Sequence, residues 1–265
     1  MFPLTHTLIL DGATGTELNR RGVDTGLPLW SANALLTDEG ARVLQSIHED
    51  YLRAGADILT TNTFRTHRRA LAPSGNAGRA LELTRRAVDI ARAAIANVPA
   101  DRPRYVAGSI STLEDCYRPD LVPPEETLRT EHLERVHHLL ECGADVFLIE
   151  TINSIREAAI IARLAAATGW PVIVSFVCNR EGRLLSGESL TDAARRLLPL
   201  GVSALGVNCA PTHDLAKPLA ELQAACPVDF PLIAYGNIGH ADDSVGWVNT
   251  DAEQPSVYGA HALRW

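Results

Sequence analysis

At 265 residues, with 46% hydrophobic and 21% charged residues, the chain has the composition of a soluble globular protein that can bury one sizeable α/β core. Its net charge of −8 argues against nucleic acid as a partner, because phosphate binding requires a basic surface. No apolar run approaches the ~20 residues of a membrane span, and no signal peptide is recognised at the N-terminus. Five cysteines without a C-x-x-C pair predict free thiols and a cytoplasmic location.

Short apolar runs bounded by turn residues alternate with amphipathic stretches along the whole chain. Such runs predict buried parallel strands, and apolar residues at helical spacing predict helices. The predicted strands are 7–10, 57–61, 104–108, 145–150, 172–177, 202–207 and 232–235. The predicted helices are 41–53, 77–97, 125–141, a stretch capped by Asn153 or Ser154 that runs to 168, 191–198, 213–225, and one that begins near Pro255.

This alternation is typical of a TIM barrel of the (β/α)8 type, here as a single domain over residues 1–265. A doubly wound open sheet would alternate in the same way, but no G-x-G-x-x-G phosphate loop follows any predicted strand. We count seven strands, so strand eight is expected to be missing from this chain. The stretch 236–254 is predicted to be a loop.

Three of the predicted strands end in polar residues after an apolar run. Asn62 follows the second strand, Glu150 ends the fourth, and Cys209 follows the sixth. Barrel enzymes place their chemistry at the carboxyl ends of the strands. These three side chains are therefore expected to share one pocket with Asp11, which follows the first predicted strand.

Each of these residues also has a structural interpretation. Asp11, together with Gly12, either holds a substrate ammonium group or forms a turn. Asn62 either contacts substrate or ties down a neighbouring loop. Glu150 follows four apolar residues and must have a partner if it is buried, which favours a ligand role. Cys209, taken alone, is more typical of a small buried hydrophobic residue than of a metal ligand or nucleophile.

Seven short motifs occur along the chain in order. They are Asp11-Gly12-Ala13-Thr14-Gly15-Thr16, Leu29-Trp30-Ser31-Ala32, His48 with Tyr51 and Ala54-Gly55-Ala56-Asp57, Thr61-Asn62-Thr63-Phe64, Ile149-Glu150-Thr151, Ser186-Gly187-Glu188 and Gly206-Val207-Asn208-Cys209. The ordered set resembles the homocysteine S-methyltransferase family, which includes betaine- and S-methylmethionine-dependent enzymes and the homocysteine domain of methionine synthase. Each motif is weak alone, but the set covers nearly the whole chain and is specific.

The resemblance implies a (β/α)8 barrel in which three cysteines bind zinc. Cys209 matches the first of them, and the other two belong to a G-G-C-C-G motif on strand eight. The family binds the homocysteine sulfur to this zinc, because a thiolate and not a thiol attacks the methyl donor. The resemblance also implies that Asp11, Gly12 and Glu150 hold the amino-acid end of homocysteine. Asn62 is expected as a further substrate-binding residue because it follows the second predicted strand.

The sequence departs from the family pattern after the helix that begins near Pro255. It contains no G-G-C-C-G motif and no other adjacent cysteine pair, and the four cysteines other than Cys209 match no ligand position. A truncated barrel with an incomplete zinc site is therefore expected. Such a barrel would expose strand edges and apolar surface, so marginal stability or a homo-oligomer is expected.

The sequence thus predicts a homocysteine S-methyltransferase. It would transfer a methyl group from a small sulfonium donor, S-methylmethionine or S-adenosylmethionine, to zinc-activated homocysteine and give methionine. The first alternative is a zinc-free, catalytically impaired barrel of the same family that binds an amino acid or thiol. The second is an aldolase-type lyase, which is disfavoured because the only lysine, Lys217, falls on a predicted helix and not at a strand end.

Overall fold

The computed structural model describes residues 7–242, 246–249 and 254–265. Contacts group the chain into two compact units. The first unit comprises the chain through Leu113 together with Arg129–Leu148, and the second comprises Glu114–Leu128 and the chain from Ile149 onward.

Six strands form one sheet in which the strand order follows the chain order. They are β1 (Ile58–Thr60), β2 (Tyr105–Ile110), β3 (Val146–Ile152), β4 (Val172–Phe176), β5 (Ala204–Pro211) and β6 (Leu232–Asn237). The pairs β1–β2, β4–β5 and β5–β6 are parallel. An antiparallel hairpin follows, made of β7 (Gly239–Asp242) and β8 (Gly246–Asn249).

Helices connect the strands of the sheet. They are α1 (Thr14–Arg20), α2 (Asp38–Arg53), α3 (Arg68–Leu71), α4 (Ala80–Asn97), α5 (Glu125–Cys142), α6 (Ile155–Ala166), α7 (Leu190–Leu197), α8 (Ala216–Ala225) and α9 (Pro255–Ala262). Thr37 and Ser189 cap α2 and α7 by accepting a backbone N–H with their hydroxyl groups. Among the described residues, no helix is long and apolar enough to cross a membrane.

The predicted alternation of strands and helices is confirmed, with two corrections. The predicted strand at 7–10 is reduced to a single parallel bridge, which pairs Leu10 with Ile58. Its neighbour Ile9 gives its N–H to the side chain of Asp57 and not to a strand carbonyl. The predicted loop at 236–254 is also wrong in part, since it holds the end of β6 and the hairpin; residues 243–245 and 250–253 lie outside the described part.

Two strand entrances in the first unit are fixed by an aspartate. Asp57, just before β1, accepts a hydrogen bond from the N–H of Ile9 at 2.8 Å. Asp145, just before β3, accepts one from the N–H of Val106 at 2.7 Å. Each carboxylate therefore bonds the segment that precedes its own strand in the sheet. The two aspartates end the repeated Gly-Ala-Asp turns of the sequence.

An arginine pairs with each of these carboxylates. Arg102 Nε lies 2.6 Å from Asp57 Oδ1, and Arg92 Nη2 lies 2.7 Å from Asp145 Oδ1. The side chain of Asp57 is 1% exposed, whereas that of Asp145 is 31% exposed. If the carboxylate were removed, water could therefore solvate its former partners far better at position 145 than at position 57.

The second unit repeats this arrangement with a neutral side chain. Ser203, just before β5, accepts a hydrogen bond from the N–H of Val172 at 3.2 Å. The backbone N–H of Ser203 also donates to the carbonyl of Val172 at 2.7 Å. A strand-entrance side chain that accepts the preceding N–H is thus found in both units.

A histidine is enclosed in the core of the first unit. His48 lies on α2 beside the buried residues Leu44, Ile47 and Leu52, and it is fully buried. Within the described part of the chain, neither ring nitrogen of His48 has a hydrogen-bond partner. Burial lowers the pKa of His48 from its usual 6.5 to about 4, so the ring is neutral in the folded protein near pH 7.

Replacing Asp57 with alanine is expected to lower the free energy of unfolding by about 2–3 kcal/mol, because the N–H of Ile9 and the Arg102 guanidinium lose a buried charged partner. The matched change Asp145→Ala is expected to lower it by only about 1 kcal/mol, because that carboxylate is partly solvated. Urea unfolding followed by circular dichroism measures both. Equal decreases in the free energy of unfolding for the two variants would show that burial of the carboxylate does not determine the size of the effect.

The buried neutral His48 is expected to make the protein less stable as pH falls. Its folded pKa lies below the unfolded value, so the unfolded chain binds the proton first, and stability is lost from about pH 6.5 down towards pH 4. Between pH 7 and pH 5, the stability difference between the native protein and the His48→Gln variant should change by about 2 kcal/mol in favour of the variant. Urea unfolding at the two pH values measures this, and a pH-independent difference would contradict it.

Candidate active site

The carboxyl end of β5 carries Cys209 on an irregular stretch of backbone. The pairing of β5 with β6 runs from Asn208 opposite Tyr235 to Pro211 opposite Asn237, so β5 has one extra residue there. Cys209 itself has a φ of 53°, in the left-handed region that residues with a side chain rarely adopt. A bulge of this kind turns a side chain away from the regular alternation of the strand, and it often marks a functional site.

Asn208 connects β5 with β3. Its Oδ1 accepts the backbone N–H of Thr151 at 3.1 Å, and its Nδ2 donates to Thr151 Oγ1 at 2.8 Å. The same Nδ2 donates to Cys209 Sγ at 3.3 Å. On β4, Ser175 Oγ donates to Asn208 Oδ1 at 2.8 Å. Asn208 and Ser175 are fully buried, so these bonds are shielded from water.

Glu150, at the end of β3, is a buried carboxylate with a tyrosine partner. Glu150 is 8% exposed, and Tyr235 on β6 donates its phenolic hydrogen to Glu150 Oε2 at 2.8 Å. Burial raises the pKa of Tyr235 well above its ordinary value, and the Glu150 carboxylate raises it further. The phenol therefore remains a hydrogen-bond donor at any physiological pH.

The Cys209 thiol is influenced by the same groups. Burial raises its pKa to about 11, hydrogen bonds from Thr151 and Asn208 act in the opposite direction, and the negative charge of Glu150 adds to the increase. Glu150 and Cys209, both predicted as site residues, are therefore brought together within the second unit. Thr151, Asn208 and Tyr235 were not predicted, although Thr151 and Asn208 stand beside the predicted residues in the sequence.

Two further tyrosines of the second unit interact with this group. Tyr117, which is half exposed, forms a hydrogen bond with Asn237, and partial desolvation together with the nearby Cys209 thiol raises its pKa. Tyr258, on α9, accepts the N–H of Gly236 at 3.1 Å. The segment that carries Tyr117 is held by Asn153, whose Nδ2 donates to the carbonyl of Cys116 at 3.1 Å. Tyrosines from three elements thus contribute to the surroundings of Cys209.

In the first unit, Asp11 is fixed at the end of β1. Its Oδ2 accepts the backbone N–H of Thr60 at 2.7 Å, and its Oδ1 accepts the Thr60 hydroxyl at 2.8 Å. The neutral ring of His48 lies close by, with Nδ1 3.9 Å from Asp11 Oδ2. Gly12 follows against the ring of Tyr51, and a Cβ at this position would lie 2.6 Å from the ring. Close packing is therefore one reason for a glycine at position 12.

Asn62, the remaining predicted residue, has a structural contact in the first unit. It is 4% exposed, and its Nδ2 donates to the carbonyl of Ser31 at 2.8 Å. Ser31 belongs to the short helical segment Trp30–Leu35. This bond ties a neighbouring loop to the end of β1, as the structural interpretation of Asn62 expects.

The side chains of the described residues can be compared with the ligands that a zinc site requires. All five cysteines have free thiols, and in the described part of the chain no three His, Cys, Asp or Glu side chains are grouped to hold a metal ion. The two contacts of Cys209 Sγ described above are hydrogen-bond donors. These residues therefore do not form the three-cysteine zinc site that the resemblance implies.

The sequence was compared with known proteins. Residues 8–265 match the sequence model of the family described as homocysteine S-methyltransferase. Homocysteine S-methyltransferase of Escherichia coli K12 is 32% identical over 259 residues, which cover 90% of this chain and 80% of that protein. Homocysteine S-methyltransferase YbgG of Bacillus subtilis 168 is 31% identical, with coverage of 100% of this chain and 90% of that protein.

A solved structure shows the same fold. The metallated form of the homocysteine methyltransferase MmuM from Escherichia coli superposes with a TM-score of 0.80 at 30% sequence identity, covering 88% of this chain and 84% of that one. This likeness confirms the predicted fold class. Because the family match extends over nearly the whole sequence, the chain belongs to the homocysteine S-methyltransferase family.

Proposed function

We propose that the protein transfers a methyl group from a small sulfonium donor, S-methylmethionine or S-adenosylmethionine, to the sulfur of homocysteine and so gives methionine. The general activity is that of its named relatives. The observation that carries the proposal is the buried Glu150 carboxylate, held by the Tyr235 phenol and close enough to Cys209 to influence its pKa. A buried anion of this kind is suited to the ammonium group of an amino acid.

Glu150 would bind the substrate ammonium through a charge-assisted hydrogen bond. Tyr235 orients the carboxylate, because its hydroxyl occupies Oε2 and limits the directions open to a ligand. We propose Asp11, Gly12 and Asn62 as further substrate-binding residues, with Asp11 held in place by Thr60. Rigid holding of the amino-acid end lowers the entropy cost of aligning the two reactants.

The methyl transfer itself is a displacement at carbon. The homocysteine thiol first gives its proton to the solvent; its sulfur then forms a bond to the methyl carbon while the bond from that carbon to the donor sulfur breaks. The electron pair of the broken bond remains on the donor sulfur, which becomes a neutral thioether. The leaving group therefore needs no proton, and the contribution of the protein is positioning and charge matching.

Zinc is expected from the family resemblance, with Cys209 as a ligand. A bound zinc ion would lower the pKa of the homocysteine thiol. The described residues do not supply three thiolates, so no step is derived through the metal. The same observation favours one alternative, a zinc-free protein of this family that binds an amino acid or thiol with impaired catalysis.

The proposal extends to the setting of the enzyme. We propose that residues 1–265 act as one homocysteine-binding domain in the cytoplasm, and the five free thiols support a reducing compartment. The proposed partners are the two small-molecule substrates, with a homo-oligomer as a further proposal. The acidic net charge of −8 supports small cationic ligands over nucleic acid.

Replacing Glu150 with alanine is expected to weaken homocysteine binding by roughly 2–5 kcal/mol, because the substrate ammonium loses a desolvated partner. Isothermal titration calorimetry with homocysteine measures the loss. The exposed Glu181 offers a matched control, and Glu181→Ala should leave the affinity unchanged. If Glu150→Ala binds homocysteine as tightly as the native protein, Glu150 has a structural role and the proposal loses its main support.

The purified 265-residue chain is expected to contain far less than one zinc ion per molecule, since Cys209 is the single cysteine that matches a family ligand. Inductively coupled plasma mass spectrometry gives the zinc content after dialysis against a zinc buffer. The Cys209→Ala variant is the control. Near-stoichiometric zinc that disappears in this variant would show that the site is completed by other groups, and would contradict the expectation.

A further inference from the structure

The sulfur of Cys209 accepts hydrogen bonds from two side chains that the proposed reaction does not use. Thr151 Oγ1 donates at 3.4 Å and Asn208 Nδ2 donates at 3.3 Å. Both distances are within the range for hydrogen bonds to sulfur, which is a larger acceptor than oxygen. Because the two donors approach from β3 and β5, they define one position for the sulfur.

The hydrogen-bond pattern fixes the orientation of the Asn208 amide. Its oxygen accepts the N–H of Thr151 and the hydroxyl of Ser175, and its nitrogen donates to Thr151 Oγ1 and Cys209 Sγ. A flipped amide would place its NH2 group against the backbone N–H of Thr151, donor against donor. The amide nitrogen therefore faces the sulfur. Thr151 Oγ1 accepts from Asn208, which leaves its own hydrogen for Cys209.

Two of these residues have a backbone conformation that is unfavourable for them. Thr151 has a φ of 57° and Cys209 has a φ of 53°, and for a β-branched residue such as threonine this is a genuine outlier. Glycine would adopt the conformation without strain. Backbone strain of this kind persists where surrounding contacts hold it, and it is concentrated at functional sites. Here the contacts that hold it are those of Asn208.

We propose that Thr151 and Asn208 are positioning residues for Cys209. The hydroxyl and the amide hold its sulfur in one orientation at the end of β5, and the strained conformation of Thr151 places its hydroxyl for that purpose. The inference deepens the proposed function and rests on it, because the orientation of the Cys209 sulfur matters for activity only if the protein transfers the methyl group. The competing explanation is that the three side chains only tie β3 to β5.

Three substitutions at Thr151 separate these explanations. Thr151→Val removes the hydroxyl but keeps the shape, Thr151→Ser keeps the hydroxyl, and Thr151→Gly removes both the hydroxyl and the backbone strain. The full chain is labelled with [3-13C]cysteine, and its five Cβ resonances are recorded at pH 7, with Cys209 assigned by Cys209→Ser. Melting temperatures and methyl transfer from S-methylmethionine to homocysteine are measured on the same samples.

Positioning predicts one narrow Cys209 resonance in the native protein and in Thr151→Ser, and a shifted or broadened one in Thr151→Val and Thr151→Gly. It also predicts that Thr151→Gly melts at or above the native temperature and yet has a kcat lower by about tenfold, with the KM for homocysteine changed less than threefold. Thr151→Ser should restore most of the kcat.

A Cys209 resonance that is the same in all four proteins would overturn the inference. A kcat that follows the melting temperature across the series would overturn it as well, because a purely structural tie predicts that result. If the native protein transfers no methyl group, the proposed function fails, and the resonance of Cys209 still decides whether Thr151 positions its sulfur.

Discussion

The arrangement at the end of β5 depends on the side-chain amide of Asn208. It bonds both the backbone and the hydroxyl of Thr151, receives the Ser175 hydroxyl, and contacts the Cys209 sulfur. Strands β3 and β5 are not neighbours in the sheet, since β4 separates them. The amide therefore supplies, through a side chain, the pairing that backbone groups of these two strands cannot make with each other. Two carbonyl lone pairs and two N–H groups are all used.

A series of buried polar contacts lies between the thiol and the carboxylate in the second unit. Ser175 hydrogen-bonds Asn208 and also interacts with Tyr235, whose phenol donates to Glu150. Buried networks of this kind are specific when every member has a partner and costly when one is removed. Glu150 and Cys209 are consequently linked by structure as well as by charge. A substitution at Ser175 would therefore change the surroundings of both Cys209 and Glu150.

The sequence was sufficient for the fold class and for the expectation that Glu150 and Cys209 lie in one group of side chains. Glu150 was identifiable because it follows an apolar run, where a buried carboxylate requires a partner. Cys209 was identifiable only through the resemblance to the family. The role of Asn208 could not be identified from the sequence, because its contact with Thr151 joins residues more than fifty positions apart. For Asn62, the sequence left a substrate contact and a structural contact open, and the contact with Ser31 could be seen only in the structure.

The shortening of the first predicted strand to one bridge has a physical explanation of the same kind. Strand prediction from apolar runs assumes that backbone donors meet backbone acceptors. At Ile9 the donor meets the Asp57 carboxylate, which is polar in the sequence and lies 48 residues away. The hairpin of β7 and β8 was missed because its residues Gly239 and Asp242 are of types that predict turns.

The strand-entrance side chains have a consequence for the order in which the chain acquires structure. Asp57, Asp145 and Ser203 each accept an N–H from a segment made earlier in synthesis. A segment that has left the ribosome therefore lacks the side-chain acceptor for this N–H until the residue that supplies the acceptor has been synthesised. At these three entrances a segment is completed by one that is made later, so structure there should form one repeat behind translation.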